Sequence, residues 1–180
     1  MNDRIYPPMD KEIHHWTTED KLKWWRYGEW IEEPDEIEFT YLGFECRIIR
    51  VATPEPFSKE IHVFGGNLCG YIRIPSDHPY HHKRYEEMDI QCHYGLTYGE
   101  VADSHWIGFD CAHLGDCIPS TEYLKKTRYE LIEIIRNFPI PEKFKDHFLF
   151  NPTYKNVRYC VDECMDIVEQ LIEIDKMSKI

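Results

Sequence analysis

Residues 37–51 read Ile-Glu-Phe-Thr-Tyr-Leu-Gly-Phe-Glu-Cys-Arg-Ile-Ile-Arg-Val. Both halves of this stretch are rich in the β-branched and aromatic residues that strands favour, and Gly43 separates them. The sequence therefore predicts a β-hairpin, with one strand at residues 37–42 and the other at residues 44–51.

Further β-rich stretches follow the first hairpin. A second hairpin is predicted across Gly65-Gly66-Asn67, with residues 61–64 entering the turn and residues 68–74 leaving it. Two more extended runs lie at residues 89–94 and 105–111. The sequence thus predicts an antiparallel, twisted sheet of about five or six strands within residues 37–112.

A short aromatic helix is predicted before the sheet. Thr17, with Asp20 three residues later, forms a capping box, and Gly28 can end the helix. Its neighbouring tryptophans are Trp24, Trp25 and Trp30. They either lock this helix onto the sheet or present a surface to a partner protein. Residues 1–16 have no periodicity and are predicted to be an N-terminal arm, followed by a single α+β domain at residues 17–176.

The C-terminal third of the chain is predicted to be helical. One helix begins at Ser120 or Thr121 and ends before Phe138-Pro139. A last helix starts at about Tyr154 and has an apolar stripe along one face. The stripe consists of Val157, Val161, Cys164, Val168 and Leu171. This stripe either packs on the sheet or pairs two copies of the chain in a homodimer or larger homo-oligomer.

Composition excludes several classes of protein. The net charge of −12 over 180 residues has the wrong sign for a protein that follows a nucleic-acid backbone. No apolar stretch approaches the roughly 20 residues that a membrane-spanning helix needs. The charged N-terminus has no apolar core typical of a secretory signal, so we expect a cytoplasmic protein. Seven cysteines without a Cys-x-x-Cys pair are not a zinc ribbon, and we expect most of them to be buried free thiols.

Residue types that bind metals and polar ligands are concentrated between Asp77 and Asp116. Six of the ten histidines lie there, at positions 78, 81, 82, 93, 105 and 113. Alternation along a strand would place His93 on the same face as Asp89, and Trp106 on the same face as Asp110. Pairing of these two strands would then form the floor of a pocket, with Gly108 leaving space for a ligand.

The loops next to these two strands supply the rest of the predicted site. His113 and Asp116 follow the second strand, and Thr97 and Tyr98 lie on the opposite rim. Cys111 is close to His113 in sequence, but alternation points its thiol inward, which argues against a nucleophilic role. Arg73 is a candidate for neutralising a phosphate. The predicted ligand-binding residues are His93, Thr97, Tyr98, Trp106, Asp110, His113, Asp116 and Arg73.

Three interpretations of this cluster remain open. His93, Asp110, His113 and Asp116 offer the nitrogen and oxygen donors that suit Zn²⁺, Mn²⁺ or Fe²⁺ in a hydrolase, so a divalent metal is one cofactor hypothesis. Alternatively, Trp106 stacks on a planar ring while the polar side chains bind its edge. The third interpretation is a structural hydrogen-bond network that ties the loop to the strand.

Two segments carry a resemblance to a known family. They are His93-Tyr94-Gly95-Leu96-Thr97-Tyr98 and Trp106-Ile107-Gly108-Phe109-Asp110-Cys111-Ala112-His113-Leu114-Gly115-Asp116. The sequence resembles small bacteriophage and prophage proteins, most of them without an assigned function, over roughly residues 40–175. Relatives of this kind tend to read His-Gly-Gly-Leu-Thr, whereas this chain has Tyr94 at the first glycine and a longer insertion between Asp116 and Tyr154.

The resemblance implies an accessory protein that acts in the cytoplasm of a bacterial host. Small phage proteins of unknown role include many that counteract bacterial immunity, some by binding nucleotide-derived signals and others by degrading them. From the resemblance and the predicted pocket together, we expect a protein that binds and sequesters a small nucleotide-like ligand. A metal-dependent hydrolase or phosphodiesterase that acts on such a ligand is the first alternative. An interaction protein that inhibits a host enzyme is the second.

Overall fold

A computed structural model describes residues 4–54, 63–100, 105–113, 115–120 and 152–179. These residues form a six-stranded antiparallel sheet with a short N-terminal helix and a long C-terminal helix packed on it, which confirms the α+β class. The strand order is β1-β2-β3-β4-β6-β5. The elements are β1 (Met9–Ile13), α1 (Thr18–Trp25), β2 (Glu36–Tyr41), β3 (Phe44–Pro54), β4 (Val63–Arg73), β5 (Tyr98–Glu100), β6 (Trp106–Asp110) and α2 (Val157–Ser178).

The first predicted hairpin is confirmed. Strands β2 and β3 pair in antiparallel register up to Tyr41 and Phe44, which leaves only two residues in the turn. Those residues, Leu42 and Gly43, both have positive φ angles, +47° and +90°. A two-residue turn of this kind matches the right-handed twist of the flanking strands. The glycine at the second position makes the turn possible.

The second predicted hairpin is wrong at its turn. Gly65, Gly66 and Asn67 lie inside β4, which runs unbroken from Val63 to Arg73 and pairs with β3. The register shifts between Arg50 and Ala52, opposite these glycines. Gly65 and Gly66 have φ angles of +96° and +90°, so they accommodate a bulge within a strand rather than a reversal of the chain. The first two residues of the predicted entering strand, 61 and 62, lie outside the described residues.

The sheet begins earlier in the chain than predicted. Residues Met9–Ile13 lie within the predicted N-terminal arm, but they pair with β2 and form the edge strand β1. Three of the five residues of β1 are exposed, so this strand has no apolar alternation that would have identified it. It is held instead by backbone pairing and by side chains such as Lys11, whose ammonium lies 3.5 Å from the Glu38 carboxylate.

Helix α1 begins at the predicted capping box of Thr17 and Asp20. Trp25 is fully buried, and its indole N–H donates to the backbone carbonyl of Val63 at 3.0 Å. Trp30 is also buried. The interpretation that the tryptophans lock α1 onto the sheet is therefore confirmed for Trp25, and Trp30 belongs to the same buried cluster.

Helix α2 is capped by Asn156, whose side chain accepts a hydrogen bond from the Tyr159 amide. Of the predicted apolar stripe, Val157 is half-buried and the other four residues are buried against β3 and β4, so the packing interpretation is confirmed. Gly70 of β4 lies beneath the helix. A Cβ atom added there would approach the Phe109 ring to 2.5 Å and the Cys164 sulfur to 3.0 Å. The predicted helix from Ser120 or Thr121 to Phe138 falls almost entirely outside the described residues.

Candidate functional site

The segment that carries His93 is not the strand predicted at residues 89–94. Strand β6 pairs with β4 and β5, and the segment before β5 runs beside helix α2. The Gln170 side chain accepts from the Gln91 amide at 2.8 Å and donates to the Gln91 carbonyl at 2.8 Å. Glu163 accepts from the His93 amide at 2.8 Å. Helix side chains thus replace the backbone ladder that a neighbouring strand would supply.

Strand β6 ends in a tight loop that positions two more ligand-type side chains. Asp110 accepts from the Ala112 amide at 3.0 Å, and Asp116 accepts from the His113 amide at 2.9 Å. The Asp116 amide in turn donates to the His113 carbonyl at 2.9 Å. Gly115 lies between them with a φ of +103°, a backbone angle that residues other than glycine rarely adopt. The loop therefore directs both the His113 and Asp116 side chains toward His93.

The three side chains of His93, His113 and Asp116 form one compact cluster, which we call the trio. One donor atom from each residue lies within 4.8 Å of the other two. His93 Nε2 is 2.9 Å from Asp116 Oδ2, and His113 Nδ1 is 3.8 Å from the same oxygen. The side chains of His93 and Asp116 are 6% and 3% exposed and that of His113 is 24% exposed, so the cluster opens to the surface at His113 only. The sequence prediction named all three residues.

One atom of the trio is not satisfied by the protein. His113 Nδ1 is buried and has no hydrogen-bond partner among the described residues. Two carboxylate oxygens face it from outside hydrogen-bond distance, Asp116 Oδ2 at 3.8 Å and Asp110 Oδ1 at 3.6 Å. A buried polar atom without a partner is costly, and such atoms often indicate an ion or water that the polypeptide alone does not supply.

Two imidazoles and a carboxylate are a donor set that transition metals use. Donor atoms bound to one zinc ion at about 2.0–2.2 Å lie roughly 3–4 Å apart, so the trio would close around an ion with small shifts. Three protein ligands would leave a position for water or a substrate. Asp110, the fourth predicted ligand, is next to His113 but outside the trio, with a side chain that is 32% exposed. It would lie beside such an ion.

Tyr159 holds His93 from the side opposite Asp116. The Tyr159 hydroxyl is 2.9 Å from His93 Nδ1, while His93 Nε2 faces Asp116. Burial and the neighbouring Glu163 carboxylate raise the pKa of Tyr159 above its usual value, so this hydroxyl stays protonated. Histidines that bind metals usually have their second nitrogen held by an oxygen in this way.

A groove of about 630 Å³ runs along α2 beside the trio. His93 and Tyr159 line one end of it, and the carboxylates of Glu163, Asp166 and Glu173 lie along its helix side. Its lining is polar and acidic, which favours water and cations over an apolar ligand.

The thiol two residues before His113 lies in the core. Cys111 is buried, as alternation predicts, and its sulfur is 3.8 Å from that of Cys160 on α2. The contact with Cys160 and burial raise the pKa of Cys111 well above that of a free thiol. A thiol of this kind packs as a small apolar group and is a poor nucleophile.

The other predicted site residues lie on or next to strands β4, β5 and β6. Trp106 and Arg73 are cross-strand partners at the end of β6 far from Asp110. Trp106 precedes Asp110 by four residues of strand, which corresponds to a distance of roughly 13 Å along β6. Arg73 is paired with Glu45 at 2.8 Å. Tyr98 lies opposite Gly108, and Thr97, whose amide donates to the Gly108 carbonyl at 2.9 Å, is exposed. The structure therefore brings His93, His113, Asp116 and Asp110 together and places Trp106 and Arg73 at the far end of β6. Thr97 and Tyr98 lie beside Gly108, in the middle of that strand.

The space predicted above Gly108 is occupied. A Cβ atom added at Gly108 would approach the Tyr71 ring to 2.6 Å, so this ring covers the glycine. The Tyr71 and Tyr98 rings meet edge to face at 5.3 Å between centroids. The expectation that Gly108 leaves room for a ligand is wrong, because the neighbouring strand supplies an aromatic side chain that fills the gap.

Sequence reasoning missed the residues of α2 that hold His93. Tyr159, Glu163 and Gln170 follow each other at intervals of four and seven residues, so they share one face of the helix beside the apolar stripe. This spacing was a usable signal. The apolar stripe identifies the helix, but the sequence does not show which segment the polar row beside it contacts.

Comparisons of the chain with protein-family models, with curated proteins and with solved structures found no match. Among the described residues, no helix combines the length and the apolar character needed to cross a bilayer. The geometry of the trio is therefore the observation that bears most directly on function.

Proposed function

We propose that the protein binds a divalent transition-metal ion through His93, His113 and Asp116 and uses it to hydrolyse a small phosphate-containing ligand. The observation that carries this proposal is the buried His113 Nδ1, which has no hydrogen-bond partner among the described residues and faces two carboxylates. An ion at this point would satisfy the nitrogen and neutralise the carboxylates at once. A purely structural network would place a hydrogen bond there instead.

The chemistry follows from the number and type of donors. Three protein ligands leave room for a water molecule, and a bound metal ion lowers the pKa of that water so that hydroxide forms near neutral pH. Such an ion would also polarise a phosphoryl oxygen bound next to the water, so that the water adds to phosphorus while the ester P–O bond breaks and the ester oxygen leaves as an alcohol. Asp110 has a partly exposed carboxylate 3.6 Å from His113 Nδ1, where it can accept a proton from the attacking water.

The proposed biological setting rests on the resemblance to phage proteins. The two segments that carry this resemblance, residues 93–98 and 106–116, contain all three trio residues and Asp110. A small nucleotide-like signal of the bacterial host is the proposed ligand. Sequestration of that ligand without cleavage is the second candidate, since the burial of His93 and Asp116 suits tight holding of a ligand.

The test is a reaction assay with purified protein, Zn²⁺ or Mn²⁺, and a panel of linear and cyclic nucleotides. Products are separated by chromatography. We expect hydrolysis that requires the metal and falls at least about 100-fold in Asp116→Asn and His113→Ala, because the first replaces a carboxylate ligand by a neutral amide and the second removes an imidazole ligand. Asp89→Asn, an exposed carboxylate in the same region, is the matched control and should retain activity.

Two outcomes would change this assignment. Recovery of one intact nucleotide per chain after denaturation, without product, would replace hydrolysis by sequestration. A panel that is neither bound nor cleaved in the presence of metal would reject both functions.

A further inference from the structure

Tyr94 has an unfavourable backbone conformation next to the trio. The Gly95 amide donates to the Cys92 carbonyl at 3.0 Å and closes a turn in which Tyr94 is the third residue. Its φ angle is +54°, in the left-handed region. Turns with a positive φ at this position strongly favour glycine, because a Cβ atom is strained there. A bulky tyrosine is therefore an unexpected choice for this turn.

The ring of Tyr94 lies over the two imidazoles of the trio. It is nearly parallel to the His113 ring, with an interplanar angle of 8° and 4.6 Å between centroids. The edge of the His93 ring also meets it at 4.9 Å. Tyr94 is nevertheless 65% exposed, so most of its surface faces solvent.

Burial does not explain why tyrosine is present here. A residue that is two-thirds exposed gains little from the hydrophobic effect, and its stacking on an imidazole is worth only a modest amount. Backbone strain that is not offset by packing tends to occur at functional sites. Tyrosine places a flat aromatic surface directly beside the proposed metal ion, which glycine would not do.

We infer that Tyr94 is the platform on which a planar ring of the ligand stacks while an oxyanion of the same ligand binds the metal. This inference rests on the proposed metal function and names its substrate class: a small molecule that joins a heteroaromatic ring to a phosphate, as in a nucleoside phosphate. Trp106, the stacking residue expected from the sequence, is too far along β6 from Asp110 to serve the same ligand.

The experiment compares two phosphonates, one with an adenine base on its ribose and one without it. The phosphonate analogues of adenosine monophosphate and ribose 5-phosphate cannot be cleaved at the ester position, so calorimetry on the zinc-loaded protein measures binding alone. We expect the adenosine analogue to bind about 10- to 100-fold more tightly, the usual range for stacking of one base on an aromatic side chain.

Three variants separate stacking from folding. Tyr94→Gly should remove the preference for the adenosine analogue while its melting temperature stays equal to or above that of the wild type, because glycine suits this φ angle. Tyr94→Phe should retain the preference. Tyr27→Gly, which removes a tyrosine that is 86% exposed in another part of the chain, should leave the preference unchanged.

The outcomes distinguish the platform from the metal site. Equal affinity of the wild type for both analogues, or a preference that survives in Tyr94→Gly, overturns the platform and leaves the metal site standing. Failure of the wild type to bind zinc overturns the proposed function and the platform together.

Discussion

Replacement of Gln170 by alanine tests how helix α2 supports the trio. The Gln170 side chain forms two hydrogen bonds of 2.8 Å with the backbone of Gln91, two residues before His93. No strand of the described sheet pairs with this segment. The substitution should therefore loosen the segment that carries His93 and leave the sheet intact.

The expected magnitude follows from these two bonds. Each intramolecular hydrogen bond contributes about 0.5–1.5 kcal/mol, and water can replace both bonds because they lie at the surface, so a loss of about 1–2 kcal/mol is expected. For a chain of this size that loss corresponds to a fall of about 2–8 °C in melting temperature. Metal affinity should also fall, because part of the binding energy would be spent on ordering the His93 segment.

Urea unfolding and amide hydrogen exchange measure the effect. The control is Gln91→Ala, which keeps the backbone atoms that Gln170 contacts and should change stability by less than about 0.5 kcal/mol. In Gln170→Ala the Gln91 amide should exchange faster, whereas amides in β3 and β4 should change only with global stability. Equal destabilisation by the two substitutions, or unchanged exchange at Gln91, would refute the view that Gln170 clamps this segment.

Three further predictions concern stability and metal binding. Burial lowers the pKa of His105, so below about pH 6.5 the unfolded chain takes up a proton that the folded chain does not, and stability falls as the pH decreases. Urea unfolding from pH 8 to 5.5 should show a shallower decline in His105→Asn, and an unchanged pH dependence would contradict this role. The buried Asp35 carboxylate is shared by the buried side chains of Lys21 at 2.8 Å and Arg50 at 3.0 Å, so Asp35→Ala should lower the free energy of unfolding by about 3–5 kcal/mol in urea. Lys21→Met should lower it clearly less, and the reverse order would contradict this shared ion pair. Tyr159→Phe should weaken zinc binding about 10- to 100-fold in equilibrium dialysis, since it removes the oxygen that holds the second nitrogen of His93, and unchanged affinity would exclude that role.

Local patterns were sufficient to predict much of the fold. The turn at Gly43, the capping box at Thr17 and the apolar stripe of α2 each correspond to the observed element, because backbone propensity and side-chain periodicity specify them directly. The glycines at 65 and 66 show the limit of this approach. A positive φ is needed both in a hairpin turn and in a bulge, so the sequence alone did not distinguish the two.

Local patterns also predicted part of the candidate site, but they did not predict how His93 is held. His113 and Asp116 follow a strand whose alternation was correct, and His93 lies near them although the strand expected around it does not form. Its position depends on Glu163 and Gln170, which are about 70 or more residues away in sequence. Contacts of this range are set by how α2 packs on the sheet, and local periodicity carries no information about them.

Zinc binding to the trio tests the central claim most directly. Equilibrium dialysis of the purified chain followed by elemental analysis gives the number of ions bound per chain, with Asp116→Asn and the exposed-site control Asp89→Asn measured in parallel. We expect one ion per chain in the wild type and in Asp89→Asn, and a large loss of affinity in Asp116→Asn. Substoichiometric binding in the wild type, or binding that Asp116→Asn leaves unchanged, would contradict a metal site at His93, His113 and Asp116.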